Sequence, residues 1–310
     1  MKRLRVAAML AVMSLWLTGC ANMVADRLLA FDSLEVSAED QQQLIKDGFK
    51  TGRFCYQSQC LAYLEGQPIK ANKLNAEWEI FGKLFQLNLK REQVTSQQGT
   101  VVMIHGYRMN KETMAVNALY WRFLGYRVLL PDLQGHGGAT DEFSFGVRDG
   151  ELLDAWLNRH NPKQPLLVIG NSMGAIAAVN LVKRRDDVSG LILQAPMMGL
   201  GDSLVAFPKP WYLSWVPEGD LRQGAQLALA RLQLEESQVD ATAQLSSLTL
   251  PILVLASDGD DVSPYAKAAP LSSDQVQVVN LPGLLHPQVG IIGNDEHQLL
   301  QGWLQTAIKL

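Results

Sequence analysis

Five consecutive residues, Gly170-Asn171-Ser172-Met173-Gly174, place a serine between two glycines with one residue on either side. A serine hydroxyl is a weak nucleophile at neutral pH and needs a base beside it. Flanking glycines allow a turn sharp enough to lift the hydroxyl clear of the backbone. The same turn aims the next backbone N–H, that of Met173, at the place where an oxyanion would form. The chemistry open to such a serine is acyl transfer, with Ser172 as nucleophile. The pentapeptide alone is common, so its weight depends on its surroundings.

The chain contains five histidines from which a base could come. His286 stands in Leu281-Pro282-Gly283-Leu284-Leu285-His286, directly after the apolar run 276–281. His105 opens another loop, His136 lies in a glycine-rich turn, His160 ends a charged helical stretch, and His297 falls on the expected solvated face of a terminal helix. Position therefore singles out His286. An acid must orient it. Asp258, Asp260 and Asp261 compete in the segment after the run 252–255, and Asp202 is a more distant candidate. Each reads equally well as a turn cap. A second oxyanion donor is expected from the Tyr107 N–H in His105-Gly106-Tyr107. The cluster Pro131-Asp132-Leu133-Gln134-Gly135-His136-Gly137-Gly138 lacks the Lys-Ser/Thr ending and glycine spacing of a phosphate cradle, and reads as a structural turn. No metal-ligand spacing is present, so neither metal nor other cofactor is expected.

Side chains so far apart in sequence need a scaffold that gathers their loops. From Thr100 onward, short apolar runs recur at 101–104, 128–130, 166–169, 191–193, 252–255 and 276–281, most of them separated by longer helical patterns. Short, continuously apolar strands alternating with helices predict a mostly parallel, doubly wound α/β sheet covered on both faces. Ligands in such sheets sit beyond the carboxyl ends of the strands, where Ser172, His286, the competing aspartates and Tyr107 all fall. Trp78–Ile80 and Phe85–Leu89 alternate apolar and polar residues and predict half-buried strands. The interval of about fifty residues between the runs 191–193 and 252–255 breaks the rhythm. It carries Phe207-Pro208-Lys209-Pro210-Trp211-Tyr212-Leu213-Ser214-Trp215 and a helical stretch near Leu221–Leu234, and reads as a helical cap at about 197–248. Its aromatics point to an apolar acyl or aromatic substrate, or to packing alone.

The chain has 310 residues, 47% of them hydrophobic, and a formal net charge of −4, which argues against a nucleic-acid partner. Lys2, Arg3 and Arg5 precede an apolar run from Val6 to Leu17, too short to span a bilayer as a helix. Together with a small-residue exit, this reads as a secretory signal over residues 1–19. The exit, Leu17-Thr18-Gly19-Cys20, resembles the lipobox of bacterial lipoproteins, in which the chain is cut before the cysteine and the cysteine is acylated. Ala21 rather than Asp follows Cys20, which in Gram-negative lipoproteins implies sorting to the outer membrane, here facing the periplasm. An uncleaved anchor, or a plain signal peptide with an incidental cysteine, is the alternative. Residues 20–48 read as a tether leading into a short helix that starts at Ser37 and stops at Gly48. Outside the cytoplasm Cys55 and Cys60 favour a disulfide over a reduced pair.

His105-Gly106-Tyr107, Pro131–Gly137, the elbow around Ser172, the Asp260 segment and Gly283-Leu284-Leu285-His286 together resemble the ordered motifs of the α/β-hydrolase superfamily. The nearest likeness is to the serine aminopeptidase and monoacylglycerol-lipase-like group, over roughly residues 99–310. That resemblance implies a single domain from about residue 49 with a cap inserted late in the sheet. The family acid stands four residues before a proline, which selects Asp260 over Asp258 and Asp261. The family histidine follows Gly-x-Gly, where this chain has Leu285 in place of the second glycine. The expected activity is hydrolysis of a small-molecule or lipid carboxylic ester by a membrane-anchored serine hydrolase. An aminopeptidase, an acyltransferase, or a non-catalytic envelope binding protein on the same scaffold are the alternatives. The sequence sets no oligomeric state.

Overall fold

The computed structural model describes residues 19–140, 142–207 and 214–309. The expected signal segment, apart from Gly19, and residues 208–213 of the expected cap lie outside them.

Each apolar run of the second half becomes a strand: β5 (Thr100–Ile104), β6 (Arg127–Pro131), β7 (Leu166–Asn171), β8 (Val188–Gln194), β9 (Ile252–Ala256) and β10 (Val276–Asn280). All six are parallel. Because successive side chains of a strand point to opposite faces, each run feeds two cores at once. Val102 and Ile104 of β5 enter one core and Val101 and Met103 the other; Val254 and Leu253 of β9 divide the same way. A strand buried on both faces must be apolar throughout, which is why these runs do not alternate.

Two antiparallel strands extend the sheet, β1 (Phe49–Tyr56) and β2 (Gln59–Gly66), in the order β1-β2-β6-β5-β7-β8-β9-β10. Their hairpin sets Cys55 opposite Cys60, and the two form a disulfide with Cα atoms 4.0 Å apart. The strand order reverses at β5, which lies between β6 and β7. The chain leaving β5 and the chain leaving β7 therefore turn apart, opening a crevice at their carboxyl ends.

The alternating segments form β3 (Lys73–Ile80) and β4 (Lys83–Lys90), which pair only with each other, outside the main sheet. Phe85, Leu87 and Leu89 bury one face of this ribbon in the second core.

Helices cover both faces. α1 (Ala38–Lys46) precedes the sheet, its start set by Ser37 Oγ accepting the Asp40 N–H at 3.1 Å. α2 (Ala115–Leu124) lies on the second core, and α3 (Asp149–His160) and α4 (Gly174–Val182) on the first. Between β8 and β9 come α5 (Leu200–Ala206) and α6 (Glu218–Leu232), and α7 (Asn294–Trp303) follows β10.

The N-terminal segment differs from a free tether. Residues 19–29 are helical, and Ala21, Val24, Ala25 and Leu28 are buried. Steps of three and four put them on one stripe of a helix. Val24 packs where α6 has Gly224: a Cβ there would stand 2.4 Å from Val24 Cγ1. Arg231 of α6 reaches back to Asp26 (2.6 Å) and Asn22 (2.8 Å). Among the described residues no helix is long and apolar enough to cross a membrane.

Candidate active site

The nucleophile candidate sits where β7 breaks into α4. Ser172 has φ +51°, a left-handed conformation that a non-glycine residue holds only when its surroundings enforce it. Three backbone hydrogen bonds do so. The Ser172 N–H donates to Gln194 O (2.9 Å), and the Ser172 carbonyl accepts from Ala175 N–H (3.0 Å) and Met197 N–H (3.2 Å). Glycine is required on both sides for reasons of space. A Cβ on Gly174 would lie 2.4 Å from the carbonyl oxygens of Ile104 and His105, and one on Gly170 would lie 2.6 Å from Ala175 Cα. The start of α4 thus rests directly on the end of β5.

His286 enters from the loop after β10. Its Nε2 is 2.9 Å from Ser172 Oγ and its Nδ1 is 2.8 Å from Asp260 Oδ2. The His286 side chain is 14% exposed, while the Asp260 carboxylate is fully buried. Asp260 Oδ1 accepts the N–H groups of Val262 (2.8 Å) and Ser263 (2.9 Å), so both oxygens are engaged and the carboxylate cannot rotate away. A histidine with its Nδ1–H on a fixed carboxylate presents a basic Nε2 to the hydroxyl, the arrangement that general-base activation of serine needs.

The competing aspartates do other work. Asp258 accepts from the Gly283 N–H (2.8 Å) and from Asn280 Nδ2 (3.2 Å), tying the turns after β9 and β10 together. Those donors hold its carboxyl below the usual range, the Gly283 N–H most of all. Asp261 is exposed. Asp202 pairs at the surface with Lys267 and Arg222, whose hydrogen bonds hold its carboxyl down to about 2.

Met173 and Tyr107 carry the two backbone N–H groups expected from the sequence to bind an oxyanion. Neither backbone N–H donates to another group among the described residues. Gly106 stands between their loops, its missing Cβ only 3.3 Å from Ser172 Cβ. The loop carrying Tyr107 is stitched in place by two histidines. His105 Nδ1 donates to Gly106 O (2.8 Å) and its Nε2 accepts the Leu133 N–H (3.0 Å). His136 Nδ1 donates to Gln134 O (3.1 Å) and its Nε2 accepts the Arg108 N–H (3.1 Å). Burial pushes both downward, His136 to about 3, with His105 a further unfavourable neighbour. Both are neutral at pH 7, as their acceptor nitrogens require.

The other histidines lie outside this constellation. His160 Nδ1 donates to Trp156 O (3.0 Å) at the end of α3. His297, expected on a solvated face, is half-buried with Nδ1 3.1 Å from the Tyr120 hydroxyl, because Tyr120 of α2 packs against α7.

Sequence reasoning passed over two glutamines. Gln194 accepts the Ser172 N–H through its backbone and donates through Nε2 to Gly290 O (3.3 Å), linking the elbow to the histidine loop. Gln288 holds the Leu285 N–H with Oε1 (2.8 Å) and donates to Ile80 O (2.7 Å), fastening the tip of the β3–β4 ribbon beside His286. Neither has a local sequence signal. Among the described residues no group of three or more His, Cys, Asp or Glu is arranged to hold a metal.

Residues 95–218 match the family model described as "Serine aminopeptidase, S33". A thermostable monoacylglycerol lipase of Bacillus sp. (strain H-257) is 26% identical over 236 residues, covering 67% of this chain and 90% of the relative. A phospholipase of Bacillus subtilis (strain 168) is 33% identical over a shorter 107 residues, 32% of this chain and 41% of the relative. Among solved structures, an esterase of Pyrococcus furiosus superposes with a TM-score of 0.61 at 15% identity, covering 90% of this chain and 100% of that one. At that identity the likeness speaks to the fold alone.

Proposed function

The chain is an α/β-hydrolase related to the serine aminopeptidase and monoacylglycerol-lipase-like group, and on that premise we propose that it cleaves carboxylic esters through an acyl-enzyme formed on Ser172. One observation carries the reading: His286 bridges Ser172 and Asp260 with hydrogen bonds of 2.9 and 2.8 Å. The Ser172 oxygen attacks the ester carbonyl while its proton passes to His286 Nε2. The resulting oxyanion is bound by the N–H groups of Met173 and Tyr107, each such donor being worth about 3 kcal/mol in the transition state. Collapse breaks the bond to the alcohol, which leaves with the proton from Nε2. Water then attacks the acyl-enzyme, again giving a proton to Nε2, and the acid departs as Ser172 recovers its hydrogen. Asp260 keeps Nδ1 protonated throughout and stabilises the imidazolium.

The helices between β8 and β9 act in this reading as a cap over the serine, and the names of the two bacterial relatives support a lipid ester as substrate. Cys20 is the acylated residue after removal of 1–19, which anchors the protein at the envelope of a Gram-negative-type bacterium, in the outer membrane facing the periplasm. Several acyl chains on one residue anchor stably where one does not.

A fluorophosphonate probe tests the nucleophile: wild type labels and Ser172→Ala does not, whereas equal labelling of both, or of neither, counts against the site. An ester chain-length series, run beside aminoacyl arylamides, separates lipid from short-ester and from peptide-bond cleavage. Radiolabelled palmitate incorporated by wild type but not by Cys20→Ser tests the anchor.

A further inference from the structure

The loop that offers the Tyr107 N–H is not held by the sheet alone. The segment leaving the N-terminal helix runs across it and touches it repeatedly. The Tyr107 hydroxyl donates to Leu28 O at 3.0 Å. The Leu34 N–H donates to Arg108 O at 2.7 Å, and Asn110 Nδ2 donates to Leu34 O at 2.7 Å. Between these points Phe31 sets its ring 4.7 Å from that of Tyr107, 4.8 Å from that of His136 and 4.9 Å from that of Phe143. Ser33 Oγ accepts the Gly137 N–H at 3.1 Å, joining the second loop that braces the first.

Arg108 is the reason such holding matters. Its φ is +60°, a conformation an L-residue with a long side chain does not keep unaided. Its N–H is taken by His136 and its carbonyl by Leu34, so both peptides around the unusual angle are pinned. The Tyr107 N–H belongs to the next peptide back, between Gly106 and Tyr107, one residue before the pinned pair. An oxyanion donor works only when fixed within a few tenths of an ångström before the reaction begins. The family match starts at residue 95, so this segment lies before it.

We propose that residues 28–34 form a strap that positions the oxyanion loop, with Phe31 as its principal positioning residue. The inference rests on the reading of the Tyr107 N–H as an oxyanion donor. It also gives the residues after Cys20 a catalytic purpose. Leu28 lies eight residues beyond Cys20 in a helix, a distance of about 12 Å at the helical rise. Asp26 and Asn22 fix that helix to Arg231. The acylated end of the chain and the oxyanion loop are thereby joined through a docked helix rather than a free tether.

The test uses the full mature chain in detergent micelles, with a water-soluble short-chain nitrophenyl ester and amide hydrogen exchange as separate readouts. Phe31→Ala is expected to lower kcat about tenfold with KM changed less than about twofold, because the donor acts in the transition state. Phe31→Leu, which keeps apolar bulk, recovers most of the loss. Exchange of the hydrogen-bonded Arg108 and Met109 amides rises roughly tenfold in Phe31→Ala while that of β7 stays as in wild type. Leu34→Pro removes one N–H at an exposed position and moves both readouts the same way by less, which covers the case of a poorly folding Phe31→Ala. Unchanged protection of the Arg108 and Met109 amides in the variants overturns the strap, whether or not the protein hydrolyses esters. Loosened amides with an unchanged kcat overturn its positioning role. A wild type inert toward every ester sinks the proposed function instead, and leaves the exchange experiment to decide the strap.

Discussion

Three histidines converge at the carboxyl edge of the sheet, and they divide into two kinds. His105 and His136 are buried, have both ring nitrogens committed to backbone groups, and are pushed toward the neutral form. His286 is partly exposed and faces a carboxylate on one side and a hydroxyl on the other. On the proposed mechanism, the difference means that a histidine serves as a base through the chemistry of its two partners and not through its place in the fold. A ring whose nitrogens serve the backbone is a bracket. A ring whose nitrogens join an anion to an ionisable hydroxyl can carry a proton and give it back.

Removing the ring in each place breaks or sharpens this contrast. His286→Ala is expected to lower kcat by on the order of 10⁴-fold or more, with substrate binding little changed, in steady-state ester hydrolysis. A kcat within tenfold of wild type would mean that another group serves as base. Asp260→Asn keeps the shape but favours the wrong tautomer, and costs on the order of 10³–10⁴ in kcat. The same change at Asp258 leaves kcat within about twofold, since that carboxylate serves only the turn. Equal losses at the two positions would falsify the assignment of the acid.

At the bracket the effect is on stability. A His136 held neutral down to about pH 3 takes up no proton in the folded state where the unfolded chain does, below about pH 6.5. The unfolded state therefore binds more protons in that window, and the stability present above it is lost as pH falls toward 3. His136→Gln, which keeps an acceptor for Arg108, is expected to flatten the slope of urea-measured stability between pH 6 and 4 by up to about 1.4 kcal/mol per pH unit. An identical slope in the variant would show that His136 is charged when folded. The smallest effect is expected at Gln288→Leu, which leaves the Leu285 N–H and Ile80 carbonyl without their partner and costs about 1–2 kcal/mol in denaturant unfolding. Its kcat falls only a few-fold, because Asp260 still orients the ring.

Much of the sheet was legible. Each apolar run from 101 to 281 became a parallel strand, with β10 ending one residue early at Asn280. The elbow was readable because strand, turn and helix are adjacent in sequence. Asp260 emerged from Asp258 and Asp261 only through its distance to Pro264, a family rule. The physical distinction is burial between the N–H groups of Val262 and Ser263, and that depends on how the loop folds. The β3–β4 ribbon was readable as strands but not as a separate sheet, since its partner is set by what Phe85, Leu87 and Leu89 find to cover them. The N-terminal helix did leave a signal, the spacing of Ala21, Val24, Ala25 and Leu28, which a reading of the region as a tether passed over.

By itself the sequence determined what is local: strand runs, the glycine-flanked serine, and the order in which nucleophile, acid and base arrive. Tertiary structure alone decided which histidine faces an anion, which aspartate is buried against that histidine, and that residues 28–34 lie against the loop holding Tyr107. Periodicity and turn geometry act over a few residues and so are written in the chain. Burial, proton affinity and hydrogen-bond partnership belong to pairs brought together from distant parts of the chain, 26 residues apart for Asp260 and His286 and 114 for Ser172 and His286.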